Sequence, residues 1–112
     1  MPRPKKCRKV CKLPPVGEYV AYGKGKNEYI TLTVDEFECI RLIDYRGFSQ
    51  ESASEYMQVS RATAQLIYDS ARKKLASALV LGNGIRIEGG DYRLCDGEET
   101  SCDCGGCQKH CK

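Results

Sequence analysis

The sequence of 112 residues has no long apolar segment and very little histidine. No stretch approaches the roughly 20 apolar residues that a membrane-spanning helix needs. The basic N-terminus also lacks the apolar segment of a secretory signal. We therefore expect a cytoplasmic protein without a membrane partner, and the length is that of one small domain.

The sequence also has few of the residue patterns that are typical of enzyme active sites. The only histidine, His110, lies inside a cluster of cysteines, and residues 23–26 (GKGK) lack the spacing of a phosphate-binding loop. A thiol–disulfide oxidoreductase that uses Cys104 and Cys107 is the best enzymatic alternative, but that motif normally opens a helix after a strand. The sequence therefore predicts a binding protein and not an enzyme.

Charge is distributed unevenly along the chain. The net charge is only +3, but the first twelve residues carry six positive charges, and no acid precedes Glu18. All four prolines lie within residues 1–15, which predicts an extended basic arm with an anionic partner. The alternative is a solvated tail that keeps the protein soluble. The arm residues that we expect to contact the partner are Arg3, Lys5, Lys6 and Arg8.

Three helix starts follow residues that cap helices. Thr33 with Glu36 forms a capping box before a helix at 34–45, Ser49 precedes a helix at 50–57, and Ser60 precedes a helix at 61–80. The last helix has apolar residues at steps of three and four, as one buried face requires. These are Ala64, Ile67, Ala71, Leu75 and Ala78. Residues 16–32 fit one or two short strands or an irregular wrap, and residues 85–94 fit a hairpin or an edge strand.

The second and third helices, joined by residues 58–60, have the size of a helix-turn-helix. Small residues at 53 and 54 allow the helices to approach, and Met57 and Val59 can fill the corner between them. In this arrangement the third helix lies in the major groove of DNA. One short recognition helix spans few base pairs, so we also expect a homodimer. The alternative is a plain three-helix packing unit with an ordinary polar face.

A polar face of the third helix lies about 90° from its apolar stripe. Arg61 can bond guanine bidentately, Gln65 can do so with adenine, and apolar neighbours can touch a thymine methyl group. Side chains further along the helix are better placed for phosphates. The predicted contacts with double-stranded DNA on this helix are Arg61, Ala62, Thr63, Gln65, Leu66, Tyr68, Arg72 and Lys73.

Residues 33–79 resemble region 4 of bacterial sigma factors and related response-regulator DNA-binding domains. More closely, the chain to about Gly90 resembles an uncharacterised family of small bacterial and archaeal proteins that are predicted to bind DNA. Five motifs carry this resemblance in order: "MPRP" at 1–4, "GFSQE" at 47–51, "VSRAT" at 59–63, "SARKK" at 70–74 and "RIEGG" at 86–90. The resemblance implies a sigma-like helix-turn-helix and DNA binding, without a known target.

The sequence departs from the sigma pattern at two places. The turn position that is often glycine is Gln58, and a left-handed conformation there would cost on the order of 1 kcal/mol. Ala62 and Leu66 replace polar DNA contacts, so sigma-type promoter specificity does not transfer. The short chain has no regions for binding core polymerase, so it is not itself a sigma factor.

The C-terminal tail, residues 95–112, is rich in cysteine. Its spacing suits a tetrahedral soft metal, zinc before an iron–sulfur cluster, with Cys102, Cys104, Cys107 and Cys111 as ligands. His110, Cys95, Cys7 and Cys11 are further candidates. The alternative is a disordered tail whose thiols have no fixed role. Cys39, beside core positions of a helix, is expected to be a buried apolar residue.

These observations predict a mainly α fold, in which a sigma region 4-like helix-turn-helix domain at 16–94 has short flanking β or extended segments. The basic arm at 1–15 precedes the domain, and the cysteine-rich tail at 95–112 follows it. The predicted function is sequence-specific DNA binding by a transcriptional regulator that responds to metal or redox state. The alternative is a metal-binding or protein-interaction module that uses the helices as a scaffold.

Overall fold

The computed structural model describes residues 8–23, 28–90 and 92–94, which form three helical segments and five short strands. Helix α1 spans Val34–Cys39 and continues as a π-helix over Ile40–Tyr45. Helix α2 spans Gln50–Met57, and helix α3 spans Arg61–Leu81. The strands are β1 (Arg8–Val10), β2 (Glu18–Tyr19), β3 (Tyr29–Leu32), β4 (Gly84–Ile87) and β5 (Tyr92–Leu94).

The three helices begin where their capping residues predict. At α1, the hydroxyl of Thr33 accepts from the Glu36 amide (3.4 Å), and the Thr33 amide donates to Glu36 Oε1 (2.9 Å), which completes the capping box. The hydroxyls of Ser49 and Ser60 accept from the amides three residues later, at 3.0 and 3.1 Å. Each bond satisfies an amide that the helix itself leaves without a partner.

The first helix changes its winding halfway along, which the apolar pattern does not predict. The Arg46 amide donates to the carbonyl of Arg41, five residues earlier (2.8 Å), and beyond the segment the Phe48 amide donates to the carbonyl of Leu42, six residues earlier (2.9 Å). Five-residue hydrogen bonds widen a helix locally and are rare. The wider turns carry Asp44 and Tyr45 at the end of the segment.

The strands form two small sheets whose pairing joins distant parts of the chain. In the three-stranded sheet, β4 lies in the centre, antiparallel to β2 and parallel to β3. In the second sheet, β1 pairs with β5 in parallel, with Arg8 opposite Tyr92. The prediction of a hairpin at 85–94 was therefore wrong, because β4 and β5 each pair with a strand from the first third of the chain. The alternative of an edge strand fits β5, which belongs to a two-stranded sheet, but not β4, which lies in the centre of its sheet.

Part of the predicted basic arm lies inside the fold. Lys9 and Val10 are at most 1% exposed, and Cys11 is also buried. The Cys11 amide donates to Glu38 Oε2 (2.9 Å), and the Lys9 ammonium lies 5.9 Å from the centre of the Tyr56 ring. The chain at 8–11 is extended, as the sequence predicts, but it is not an arm that projects into solvent.

The core consists of two apolar clusters along α3. The first packs α3 against α1 and α2, and its buried members are Cys11, Cys39, Leu42, Ala53, Met57 and Ile67. The second packs α3 against the strands and the start of α1, and its buried members are Val10, Leu32, Val34, Ala71 and Ile87. The predicted burial of Cys39, Ala64, Ile67, Ala71 and Ala78 is confirmed, and Leu75 is half-buried. In the ranges described, no helix combines the length and apolar character needed to cross a membrane.

Candidate functional site

The connection between α2 and α3 is a tight turn of three residues. Gln58 ends α2 in the left-handed conformation (φ 59°, ψ 46°), and its neighbour Val59 donates its amide to the Ser54 carbonyl (3.0 Å). Met57 is fully buried beside Ala53, and Val59 packs against the same cluster. The turn therefore fixes the direction in which α3 leaves α2.

The first turns of α3 present a mixed polar and apolar surface to solvent. Arg61, Ala62, Gln65 and Leu66 are exposed, and Leu66 is 71% exposed. Thr63 is half-buried, and its amide and hydroxyl both bond the Ser60 hydroxyl. Thr63 is thus part of the helix cap, whereas the other four side chains are accessible to a ligand.

One turn further along α3, two of the predicted phosphate contacts, Tyr68 and Arg72, are bonded to the π-helical continuation of α1. The Tyr68 hydroxyl donates to Asp44 Oδ1 (2.8 Å), and Arg72 Nη1 donates to the Tyr68 oxygen (2.6 Å). Arg72 also lies 3.4 Å from Asp44 Oδ1. The hydrogen bond to Tyr68 and the charge of Asp44 raise the pKa of Arg72, so its positive charge is secure.

Asp44 is a residue of this surface that the sequence analysis missed. It lies at the end of the π-helical segment, and it meets α3 only because α1 packs beside that helix. The spacing between Asp44 and Tyr68 carries no local signal. Lys73, the remaining predicted phosphate contact, is exposed.

The opposite flank of α3 is attached to the start of α1 by a buried carboxylate. Glu36 accepts from Lys74 Nζ (2.7 Å), from the Ser70 hydroxyl and from the Thr33 amide. Burial raises the pKa of Glu36, but the bonds from Lys74, Ser70 and Thr33 outweigh it and hold the pKa below its ordinary value. The first and last residues of the "SARKK" motif therefore fix α3 against α1.

Most of the other predicted site residues lie outside the described ranges. This holds for Arg3, Lys5 and Lys6 of the arm and for the predicted metal ligands Cys7, Cys95, Cys102, Cys104, Cys107, His110 and Cys111. Arg8 lies in β1, and Cys11 is a buried core residue. Within residues 8–23, 28–90 and 92–94, no three His, Cys, Asp or Glu side chains are grouped to hold a metal ion.

The described chain is thus a small, mostly helical protein in which three helices pack with small sheets and α3 exposes the start of its polar face. Residues 1–95 match the family described as "Protein of unknown function DUF134", and the chain belongs to that family.

Relatives that match nearly the full length of this chain are named UPF0251 protein. One from Desulfitobacterium hafniense strain Y51 is 50% identical over 111 residues, covering 97% of this chain and 88% of that protein. One from Caldicellulosiruptor bescii is 49% identical and covers 94% of this chain and 74% of that protein. One from Ruminiclostridium cellulolyticum is 42% identical, and the match covers 96% of this chain and 93% of that protein. No solved structure matches the chain.

Proposed function

We propose that this protein is a sequence-specific DNA-binding protein that regulates transcription, with α2 and α3 acting as a helix-turn-helix. The observation that carries the proposal is the exposed group at the start of α3, namely Arg61, Ala62, Gln65 and Leu66. A helix with such a group is suited to the major groove when a second helix crosses behind it. In support of this, helix α2 packs against α3 and is joined to it by the three-residue turn.

The chemistry of the exposed group matches the edges of base pairs. The Arg61 guanidinium can donate two hydrogen bonds to O6 and N7 of guanine, and the Gln65 amide can pair with N6 and N7 of adenine. Leu66 offers an apolar surface that suits a thymine methyl group. Arginine and glutamine four residues apart lie on one side of a helix, so one protein molecule can contact neighbouring base pairs with both.

Phosphate contacts then come from the next turns of α3. Lys73 is exposed and offers an ammonium group to a phosphate. Arg72 is 60% exposed although it bonds Tyr68, and its guanidinium has further donors that Tyr68 and Asp44 do not use. Asp44 reduces the net charge here, which favours a positioning role for Tyr68 and Arg72 over a large electrostatic one. The basic residues before position 8 add sequence-independent attraction.

The first test is selection of bound fragments from genomic DNA, followed by affinity measurements on the selected site. Arg61→Ala and Gln65→Ala should each weaken binding by about 1–3 kcal/mol and relax specificity at one base pair. Lys73→Ala should weaken binding to all sequences alike and reduce the salt dependence.

Arg86→Ala is the matched control, because it removes the same charge from β4, beyond the opposite end of α3. It should leave the base preference unchanged. Equal selectivity of the wild type and of the Arg61→Ala, Gln65→Ala double variant would overturn the proposal and favour the helices as a scaffold for another partner.

A further inference from the structure

Three side chains from two elements form one chain of hydrogen bonds beside the exposed start of α3. Asp44 belongs to the π-helical continuation of α1, and Tyr68 and Arg72 belong to α3. The Tyr68 hydroxyl donates to Asp44 Oδ1 (2.8 Å) and accepts from Arg72 Nη1 (2.6 Å). The phenol therefore lies between the carboxylate and the guanidinium and links the two helices.

Arg72 is restrained by more than this one bond. Its guanidinium carbon lies 5.5 Å from the centre of the Tyr68 ring, within the range of a cation–π contact. The Tyr68 ring in turn packs against the core cluster that joins α1, α2 and α3. A long side chain that is 60% exposed would otherwise sample many rotamers, so these contacts order Arg72 before any ligand binds.

Arg72 continues the line of polar side chains that begins at Arg61. Gln65, Tyr68 and Arg72 follow Arg61 at steps of four, three and four residues, so all four lie along one side of α3. Arg72 is about 16 Å beyond Arg61 along the helix axis, at 1.5 Å per residue. In the proposed docking the first turns of α3 contact bases, and an arginine this far along the helix contacts the DNA backbone.

We infer that Asp44 is a positioning residue, which holds the Arg72 guanidinium through the Tyr68 hydroxyl at the place where a DNA phosphate binds. This inference rests on the proposed function and adds to it a residue that lies outside the two helices of the helix-turn-helix. A side chain that is ordered beforehand loses less conformational entropy on binding. The contacts of Arg72 with Tyr68 and Asp44 both use Nη1, which leaves the donors on Nε and Nη2 for a phosphate.

The distances distinguish this role from direct competition between Asp44 and DNA. A competing carboxylate would occupy the guanidinium itself, as the buried Glu38 does with Arg41 at 2.7 Å. Arg72 lies 3.4 Å from Asp44 but 2.6 Å from the Tyr68 oxygen, so Asp44 acts on Arg72 mainly through Tyr68. Asp44 also lies in a π-helical segment, and such segments are rare and frequently occur at functional sites.

The test is the affinity of the full chain for the selected DNA site, compared between two substitutions at Asp44. By charge alone, any loss of this acid should tighten binding, because the carboxylate repels phosphates. Asp44→Ala also removes the acceptor for Tyr68, and we expect it to weaken binding by about 2- to 12-fold, the cost of ordering one long side chain. Asp44→Asn keeps an oxygen that accepts from Tyr68, so it should bind at least as tightly as the wild type.

Two further variants show whether the effect passes through Tyr68 to Arg72. Tyr68→Phe keeps the ring in the core and removes only the hydroxyl, so it should lose as much affinity as Asp44→Ala. The two changes together should cost no more than either alone, because they break the same chain of bonds. In an Arg72→Ala protein, Asp44→Ala should no longer weaken binding.

Asp69→Ala is the matched control, because it removes the same charge from an exposed position on α3 next to Tyr68. It should not weaken binding, and circular dichroism should show that every variant is folded.

Either of two results would overturn the inference. If Asp44→Ala bound DNA as tightly as the wild type or more tightly, the carboxylate would only repel or compete with DNA. If it lost the same affinity with and without Arg72, Asp44 would act through the fold and not through Arg72.

The proposed function fails by a different result. A wild type without preference for any DNA fragment would reject both proposals together. A wild type that loses its preference when Arg61 and Gln65 are changed, but tolerates Asp44→Ala, would reject only the role of Asp44.

Discussion

Glu36 is a buried carboxylate that connects the start of α1 with the middle of α3. Its two oxygens accept from an ammonium group, a hydroxyl and a backbone amide. Burying a carboxylate is unfavourable unless such partners replace its water shell. Here the partners favour the charged form enough to keep the pKa of Glu36 below its ordinary value of 4.5. The contact therefore stabilises the fold only while Glu36 is ionised.

The pH dependence of stability follows from the direction of this shift. Because the folded pKa lies below the unfolded one, the contribution of Glu36 is complete above about pH 4.5 and is lost as the pH falls through the lowered value. Glu36→Gln should lower the free energy of unfolding at neutral pH by about 1–3 kcal/mol. The difference from the wild type should shrink in acid, as measured by urea unfolding at several pH values.

Glu55→Gln on the exposed side of α2 is the control for this experiment and should leave stability within about 0.5 kcal/mol at every pH. A Glu36→Gln variant with the same loss at pH 3 and pH 7 would show that the charge of Glu36 does not matter and that the variant only disturbs packing.

Gln58 is the one non-glycine residue with a positive φ in the described ranges. Because its Cβ is strained in the left-handed conformation, Gln58→Gly should raise the free energy of unfolding by up to about 1 kcal/mol. The reciprocal change is Gly82→Ala at the end of α3 (φ 74°), which should lower it by a similar amount. Thermal unfolding of both variants checks these two predictions. If Gln58→Gly destabilised the protein, the side-chain contacts of Gln58 would outweigh its backbone strain.

At the scale of elements, the sequence predicts the helices well because their signals are local. Thr33, Ser49 and Ser60 each bond an amide three residues away, so the start of each helix is encoded within one turn. The spacing of Ala64, Ile67 and Ala71 likewise predicts which side of α3 is buried. These short-range rules are also why the starting surface of α3 could be anticipated.

The strands and the network around Asp44 lack such signals. Strand β4 has only four residues, and its position in the centre of a sheet depends on β2 and β3, which lie more than fifty residues earlier. Lys9 looks like an arm residue in sequence, yet packing around Tyr56 and Glu38 places β1 inside the fold. Long-range pairing of this kind cannot be inferred from periodicity alone.

Strand β1 limits how many N-terminal residues can be deleted without unfolding the protein. Val10 is buried, and the Cys11 amide bonds Glu38, which also holds Arg41 at 2.7 Å. Deleting residues 1–7 should therefore leave the fold intact, whereas deleting residues 1–11 should unfold it. If Arg3, Lys5 and Lys6 contact three phosphates, the shorter deletion should reduce the log–log salt slope of DNA binding by roughly 2.7.

Salt titrations of DNA affinity, beside circular dichroism of both deletions, check this prediction. An unchanged slope after removal of residues 1–7 would place the arm away from DNA. A folded protein after removal of residues 1–11 would mean that β1 is dispensable.

At the scale of the whole molecule, we propose that the cysteine-rich tail binds one zinc ion through Cys102, Cys104, Cys107 and Cys111. Metal analysis of protein purified without oxygen should give about one equivalent in the wild type and far less when all four cysteines are changed to Ser. Thiolate binding releases protons, so zinc affinity should fall as the pH drops below neutrality. If both proteins held the same metal content, well below one equivalent, the proposal would be rejected. Iron in place of zinc would indicate an iron–sulfur cluster.

The pairing of β1 with β5 has a consequence for how the protein is made. Arg8 emerges from the ribosome early, but its partner Tyr92 is synthesised near the end of the described chain. Helices α1, α2 and α3 can form from local contacts during translation, whereas both sheets must wait until β4 and β5 are complete. Contacts between residues far apart in sequence slow folding, so this protein should fold more slowly than a three-helix bundle of the same size. Until then, the edge of β1 and the apolar residues beneath it stay accessible to chaperones.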